Sequence, residues 1–242
     1  MRAKRNPTVV RLKTAARLRF PRLYDGVTGP LRATRKRKKQ HNSRTVEDIF
    51  TEIYVREGRR CPGSKSGGGS TLTATEELRA ELPRLLTDLG VQVLIDAPCG
   101  DFNWMQHVDL PVREYIGGEI VPQLVDRLNS EHATETRRFM MLDLTHDALP
   151  PADALFCRDL LLHLSYHDIK RVRENFKRSG CTYLITSNYP NVKVNFDIFT
   201  GELRPMNLLL APFKWPQPQR WIHDRADEFM DRQMGVWHRD QF

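Results

Sequence analysis

At 242 residues, 40% hydrophobic and 28% charged, the chain has room for one large α/β domain with an appendage and a real core. Its net charge of +8 is unevenly spread: residues 1–44 hold 15 Lys and Arg against one acid, Asp25, whereas residues 45–242 hold 23 against 29. The basic balance belongs to the arm, so it does not make the remainder a polyanion binder. Cys61, Cys99, Cys157 and Cys181 form no CxxC pair and no zinc spacing. No apolar run approaches the ~20 residues of a membrane span, and no signal-peptide pattern is present. A reducing, cytoplasmic setting without a bound metal is expected.

In chain order, residues 1–44 read as a basic, flexible arm, broken by Pro7, Pro21 and Gly29-Pro30 and carrying the like-charged run Arg35–Lys39. Val9, Leu12, Ala16 and Phe20 recur at helical spacing among basic residues, which suits a contact with a polyanion or an anionic membrane surface. An organelle-targeting segment is the other reading of such a start. Residues 45–57 carry an amphipathic helical pattern (Val46, Ile49, Phe50, Ile53, Tyr54). The run Ser64–Ser70, rich in glycine and serine, reads as a linker and completes a segment, 45–75, distinct from the main domain of 76–242. Thr73 and Glu76 suggest a capping box, opening a helix through Leu89 that Pro83 is expected to kink.

After Gly90, strands and helices alternate. Strands are expected at 93–97, 114–119, 138–142, 153–157 and 182–186, with helices after Gly100, from Pro122 to Glu131 and from His167 to Lys177. This alternation implies a parallel sheet with right-handed crossovers. Gly235–His238 is expected to be a terminal edge strand.

The most informative segment is Val93-Leu94-Ile95-Asp96-Ala97-Pro98-Cys99-Gly100-Asp101-Phe102-Asn103-Trp104: an apolar strand, an acid, a tight turn. Glu119 and Asp143 supply further acids at later strand ends. The turn has one glycine, where a pyrophosphate site needs several. Pro98 and Phe102 stand at the other glycine positions, Pro98 has no N–H to offer, and Asp101 repels phosphate. A phosphate-free nucleoside is therefore favoured over a dinucleotide.

In this order of elements and acids the chain resembles the class I S-adenosylmethionine (SAM)-dependent methyltransferases. Ser66–Leu72, Asp96–Trp104, Arg158-Asp159-Leu160-Leu161-Leu162-His163-Leu164 and Asn207-Leu208 with Ala211-Pro212-Phe213 are similar to a bacterial-type subfamily of them, over residues 45–242. The resemblance implies an α/β, Rossmann-like, doubly wound and mostly parallel seven-stranded sheet with an N-terminal helical extension. It implies that Asp96, Ala97, Pro98, Cys99 and Gly100 wrap the amino-acid end of SAM, that Glu119 accepts from the ribose, and that Asp143 faces the adenine between Leu144 and Ile120. Gly117-Gly118 would let the second strand run close to the cofactor. Arg158 and Asp159 fall where methyl group and acceptor meet.

Aligning a sulfonium methyl with its acceptor supplies most of the acceleration. For a hydroxyl acceptor a base adds to it, and Asp159 and His163, with Arg158 beside them, are the candidates. Trp104, Asn188, Tyr189, Asn195 and Asn207 are expected to line a small-molecule or glycan site. Each residue also has a structural alternative: Asp96 as a helix cap, Arg158–Asp159 as an ion pair, His163 as a packed histidine. The expected activity is O-methylation of a small molecule or glycan. The alternative is a nucleic-acid methyltransferase tethered by the basic arm, against which stands Cys157-Arg158-Asp159-Leu160, lacking the Asn/Asp-Pro-Pro-aromatic run of base modifiers.

Overall fold

The computed structural model describes residues 44–57, 63–224 and 231–242, so the expectations for the arm and for Cys61 lie outside the described residues. The strands are β1 (Val93–Asp96), β2 (Glu114–Glu119), β3 (Arg137–Met141), β4 (Ala154–Cys157), β5 (Tyr183–Asn188), β6 (Arg220–His223) and β7 (Gln233–His238). They make one sheet in the order β3-β2-β1-β4-β5-β7-β6. Strands β1 to β5 pair in parallel, and β7 lies antiparallel between β5 and β6. The Rossmann-like, mostly parallel seven-stranded sheet expected from the sequence is what the chain forms. Its order reverses between β1 and β4, so a crevice opens at the carboxyl ends of those strands.

Helices cover both faces. Four leucines of α2 (Glu76–Asp88; α1 is Val46–Glu57), namely Leu78, Leu82, Leu85 and Leu86, pack with Leu124 and Leu128 of α3 (Pro122–His132) against Leu94, Tyr115 and Phe156. Each such side chain contributes roughly 1.5–3 kcal/mol on burial. On the other face Ile169, Val172 and Phe176 of α4 (Tyr166–Arg178) meet Ile95, Leu155, Leu184 and Trp237. Ser165 caps α4 by accepting from the Asp168 N–H (3.2 Å).

Several expectations are corrected. No α-helix follows β1: residues 101–113 form a loop with one 3₁₀ turn, Met105–His107, because Phe102 takes a left-handed φ of 58° and Pro111 closes the segment. Thr75, not Thr73, stands at the N-cap of α2, and its hydroxyl bonds back to the Thr71 carbonyl (2.9 Å). The helix continues through Pro83 to Asp88. β7 is interior, since β6, unforeseen in the sequence, takes the edge. No helix of the described residues is long and apolar enough to cross a membrane.

Candidate active site

The turn after β1 uses all its own donors. Ala97 N–H bonds the Phe156 carbonyl (2.9 Å), Cys99 N–H the Gly118 carbonyl (2.9 Å), and Phe102 N–H the Cys99 carbonyl (3.4 Å). Gly100 N–H donates to Glu119 Oε2 (3.1 Å) and Asp101 N–H to Ser66 Oγ (2.7 Å). Pro98 has none. A phosphate would find no unspent N–H here, in contrast to a dinucleotide turn. Phe102 points into the core, its ring 5.4 Å from Tyr115 and 5.2 Å from Phe139.

Three carboxylates stand at the ends of β1, β2 and beyond β3. Asp96 is buried and accepts from the Tyr115 hydroxyl (2.5 Å). Burial pushes its pKa up to about 7, against the pull of Tyr115 and Arg158. Glu119 is also buried; burial raises its pKa, while the N–H groups of Ile120 (2.8 Å), Val121 (3.2 Å) and Gly100 favour the charged form. Asp143 accepts from Thr145 N–H (2.7 Å) and lies 3.6 Å from His146 Nδ1. Leu144 is buried beside it, and Ile120 packs at the edge of the α2 and α3 core. The glycine pair of β2 serves packing: a Cβ on Gly117 would stand 2.4 Å from the Phe139 ring, and one on Gly118 2.7 Å from Leu142. The Cys99 thiol, raised well above its usual pKa by burial, is inert.

The glycine- and serine-rich segment is no linker. Ser64 Oγ donates to Asp101 (2.9 Å), Lys65 N–H to the same carboxylate (2.6 Å), and Asn103 Nδ2 to the Ser70 carbonyl (2.9 Å). Arg158 Nη2 donates to the Gly69 carbonyl (2.8 Å). Residues 64–70 are thus a strap laid over the turn after β1. A Cβ on Gly100, at φ 58°, would meet Ser66 Oγ at 2.5 Å. Gly100→Ala is therefore expected to cost about 2 kcal/mol through left-handed strain and loss of the strap. Faster amide exchange in residues 64–70 measures the second effect; unchanged exchange would refute it.

At the switch point, Arg158 and Arg232 both grip Asp224: Arg158 Nε and Nη2 at 2.9 and 3.0 Å, Arg232 Nε and Nη2 at 2.6 and 3.0 Å. Arg232 Nη1 also donates to Asp159, whose carboxylate accepts from Ser187 Oγ (3.2 Å) and Tyr189 OH (3.4 Å). Burial works against the Asp159 charge, but Arg158 and Arg232 outweigh it and hold the carboxyl below its usual pKa. Trp104 is buried under the Arg158 guanidinium, 5.5 Å from ring to Cζ.

His163 sits in the 3₁₀ turn Leu161–His163, its Nδ1 3.0 Å from the Glu202 carbonyl. A carbonyl only accepts, so Nδ1 carries the proton and Nε2 is the basic nitrogen of the neutral ring. The turn is clamped from 200–204: Gly201 N–H bonds the His163 carbonyl (2.7 Å), and the buried Arg204 guanidinium donates to the Leu162 carbonyl (3.2 Å). The Asn195 side chain pairs with the Asn207 backbone, its Oδ1 accepting from Asn207 N–H (2.9 Å) and its Nδ2 donating to the Asn207 carbonyl (2.8 Å), while Asn207 Nδ2 donates to the Pro190 carbonyl (3.3 Å). They brace the 190–211 loops. Asn188 is buried, its Oδ1 taken by Leu208 N–H (2.7 Å). Of the residues expected to face the acceptor, Tyr189 alone bonds Asp159.

Sequence reasoning missed Asp224, Arg232, Arg204, Tyr115 and the strap. Among the described residues no group of three His, Cys, Asp or Glu could hold a metal.

No protein-family model matches the chain. No curated protein matches it. Solved structures do. A SAM-dependent methyltransferase of Leishmania major superposes with a TM-score of 0.60 at 14% identity, covering 82% of this chain and 88% of that one. The N-methyltransferase NodS of Bradyrhizobium japonicum, bound to S-adenosylhomocysteine (SAH), gives 0.58 at 11%, covering 79% and 98%. Magnesium protoporphyrin IX methyltransferase of Synechocystis, bound to SAM, gives 0.57 at 13%, covering 81% and 97%. The chain has the fold of the class I methyltransferases.

Proposed function

We propose that this chain is a SAM-dependent methyltransferase acting on a hydroxyl of a small-molecule or glycan acceptor. The observation that carries the reading is the turn at 97–102. It offers phosphate no N–H and is flanked by Asp96 and Glu119, carboxylates that suit a cationic, phosphate-free nucleoside rich in hydroxyl and amine donors. Within this reading Glu119 takes the ribose hydroxyls, Asp143 the adenine amine between Leu144 and Ile120, and residues 96–100 the amino-acid end. The bound cofactor supplies a methyl already activated on sulfur. The chain aligns it and excludes water with the strap. Asp159, kept ionised by two arginines, suits orienting the acceptor with Tyr189. His163 Nε2 suits taking its proton. Trp104, Asn195 and Asn207 act by fixing the walls, and Asn188 by holding Leu208.

Calorimetry with SAH and with NAD tests the cofactor, and transfer of label from methyl-labelled SAM into small-molecule and carbohydrate fractions tests the acceptor. Binding of NAD in place of SAH would overturn the first. Label entering RNA or DNA instead would move the reading to a nucleic-acid methyltransferase tethered by residues 1–44.

The Asp96 titration gives a pH dependence. Burial makes it retain its proton up to about pH 7, and the protonated form lacks the charge that attracts a cation. SAM affinity should therefore weaken below pH 7, by up to about tenfold per pH unit. The Tyr115 hydroxyl stabilises the ionised form, so Tyr115→Phe should move the inflection to higher pH. Calorimetry between pH 6 and 8.5 reads both; a flat profile would remove Asp96 from cofactor binding.

A further inference from the structure

The loop that replaces the expected helix after β1 leaves a pocket of about 310 Å³ on the sheet. Phe102, Met105 and Tyr115 are buried within it, Val108, Leu110 and Val112 form its apolar wall, and Thr134, Thr136 and Arg137 line its rim. Tyr115 and Arg137 stand near the amino ends of β2 and β3, at the opposite end of the strands from Glu119. The pocket therefore lies at the other end of the strands from Glu119 and shares with the site proposed for methyl transfer Phe102 of the turn and Tyr115, the partner of Asp96.

Arg137 decides its chemistry. Its Nε donates to the His132 carbonyl (2.6 Å) and its guanidinium lies over the Phe102 ring, 5.0 Å from the centroid. Among the described residues no carboxylate pairs with it, whereas its neighbour Arg138 is held by Glu114 at 3.1 Å. An arginine fixed at Nε and stacked on a ring presents its terminal nitrogens as a preorganised fork, matched to a carboxylate. One guanidinium balances one negative charge, and Glu135, between the two threonines, disfavours a dianion.

The geometry points to a second ligand site that takes a small apolar monocarboxylate, its body against Phe102, Met105 and Val112 and its head on Arg137. At ~30 Å³ for each group the size of a water molecule, the pocket holds roughly ten non-hydrogen atoms, the size of an aromatic or medium-chain acid. This inference is independent of the methyltransferase reading.

Titration of the full chain with benzoate and octanoate, followed by calorimetry and ligand-observed NMR, tests it. Both acids should bind saturably in the millimolar range or tighter, as ligands of that size do. Arg137→Met should weaken benzoate about tenfold or more and leave benzyl alcohol unchanged. Val112→Trp, filling the pocket, should abolish both. SAH should displace neither acid, and each variant should keep the wild-type circular dichroism and SAH affinity. Failure to saturate, equal affinity of wild type for benzoate and benzyl alcohol, or displacement by SAH would each overturn the assignment. If a variant fails to fold, Arg137→Lys in its place, which keeps the charge and loses the fork, should weaken benzoate selectively, and no selective loss would count against the site.

Discussion

His163→Ala is expected to lower turnover by ~10²–10⁴-fold, the usual contribution of a positioned base, while SAH affinity changes by less than about twofold. The ring is held in one orientation. Its Nδ1 proton is committed to the Glu202 carbonyl, and the turn beneath is clamped by Gly201 and Arg204. That clamp is expensive. Arg204 is fully buried, its Nε and Nη2 have no hydrogen-bond partner among the described residues, and burial lowers its pKa to about 10. Burying a guanidinium to brace two carbonyls adds little net stability, which marks the braced turn as one whose position matters. Turnover with the acceptor found by the label screen is the measurement. A loss below about threefold would show that the acceptor needs no base and that alignment alone suffices.

Asp224→Ala should destabilise the protein by about 3–5 kcal/mol, the range for removing one partner of a buried ion pair. Arg158 and Arg232 each give two nitrogens to this one carboxylate, which is completely buried, and both guanidinium groups are themselves almost wholly inside. Together with Asp159 they form a quartet whose charges cancel. Deleting Asp224 leaves two buried cations sharing Asp159 alone. For a chain of this size the melting temperature should fall by about 2–4 °C per kcal/mol. Urea denaturation reads the loss directly. A change below about 1 kcal/mol would mean that water enters and solvates the arginines.

Much of the sheet was legible because its strands are short apolar runs ending in acids or turns. β2 has the bounds that alternation suggested, and α3 and α4 differ by one residue at each misjudged end. β6 was not legible: Arg220-Trp221-Ile222-His223 has two apolar residues behind a proline-rich stretch, and it becomes a strand only by pairing with β7. The absent helix after β1 misled for the opposite reason. An apolar strand, an acid and a tight turn ordinarily lead into a helix, yet the backbone of Phe102 leaves the right-handed region at the start.

The site divides in the same way. Asp96, Glu119 and Asp143 announce themselves by standing at strand ends. The strap does not, because its bonds are made by backbone groups and serine hydroxyls, which composition reads as a tether. Asp224 and Arg232 look like surface charges until the chain brings them to Arg158, 66 residues away in sequence from Asp224. Long-range pairing leaves no local pattern to read.

Arg158 donates to the Gly69 carbonyl on one side and to the Asp224 carboxylate on the other, and Arg232 closes on Asp159, 73 residues away in sequence. Contacts so distant in sequence form late, and domains complete when their last element emerges from synthesis. A ribosome-bound chain that stops before Arg232 has its central strands but not the quartet. The quartet therefore cannot assemble until Arg232 has left the ribosome, well after the strands that frame it.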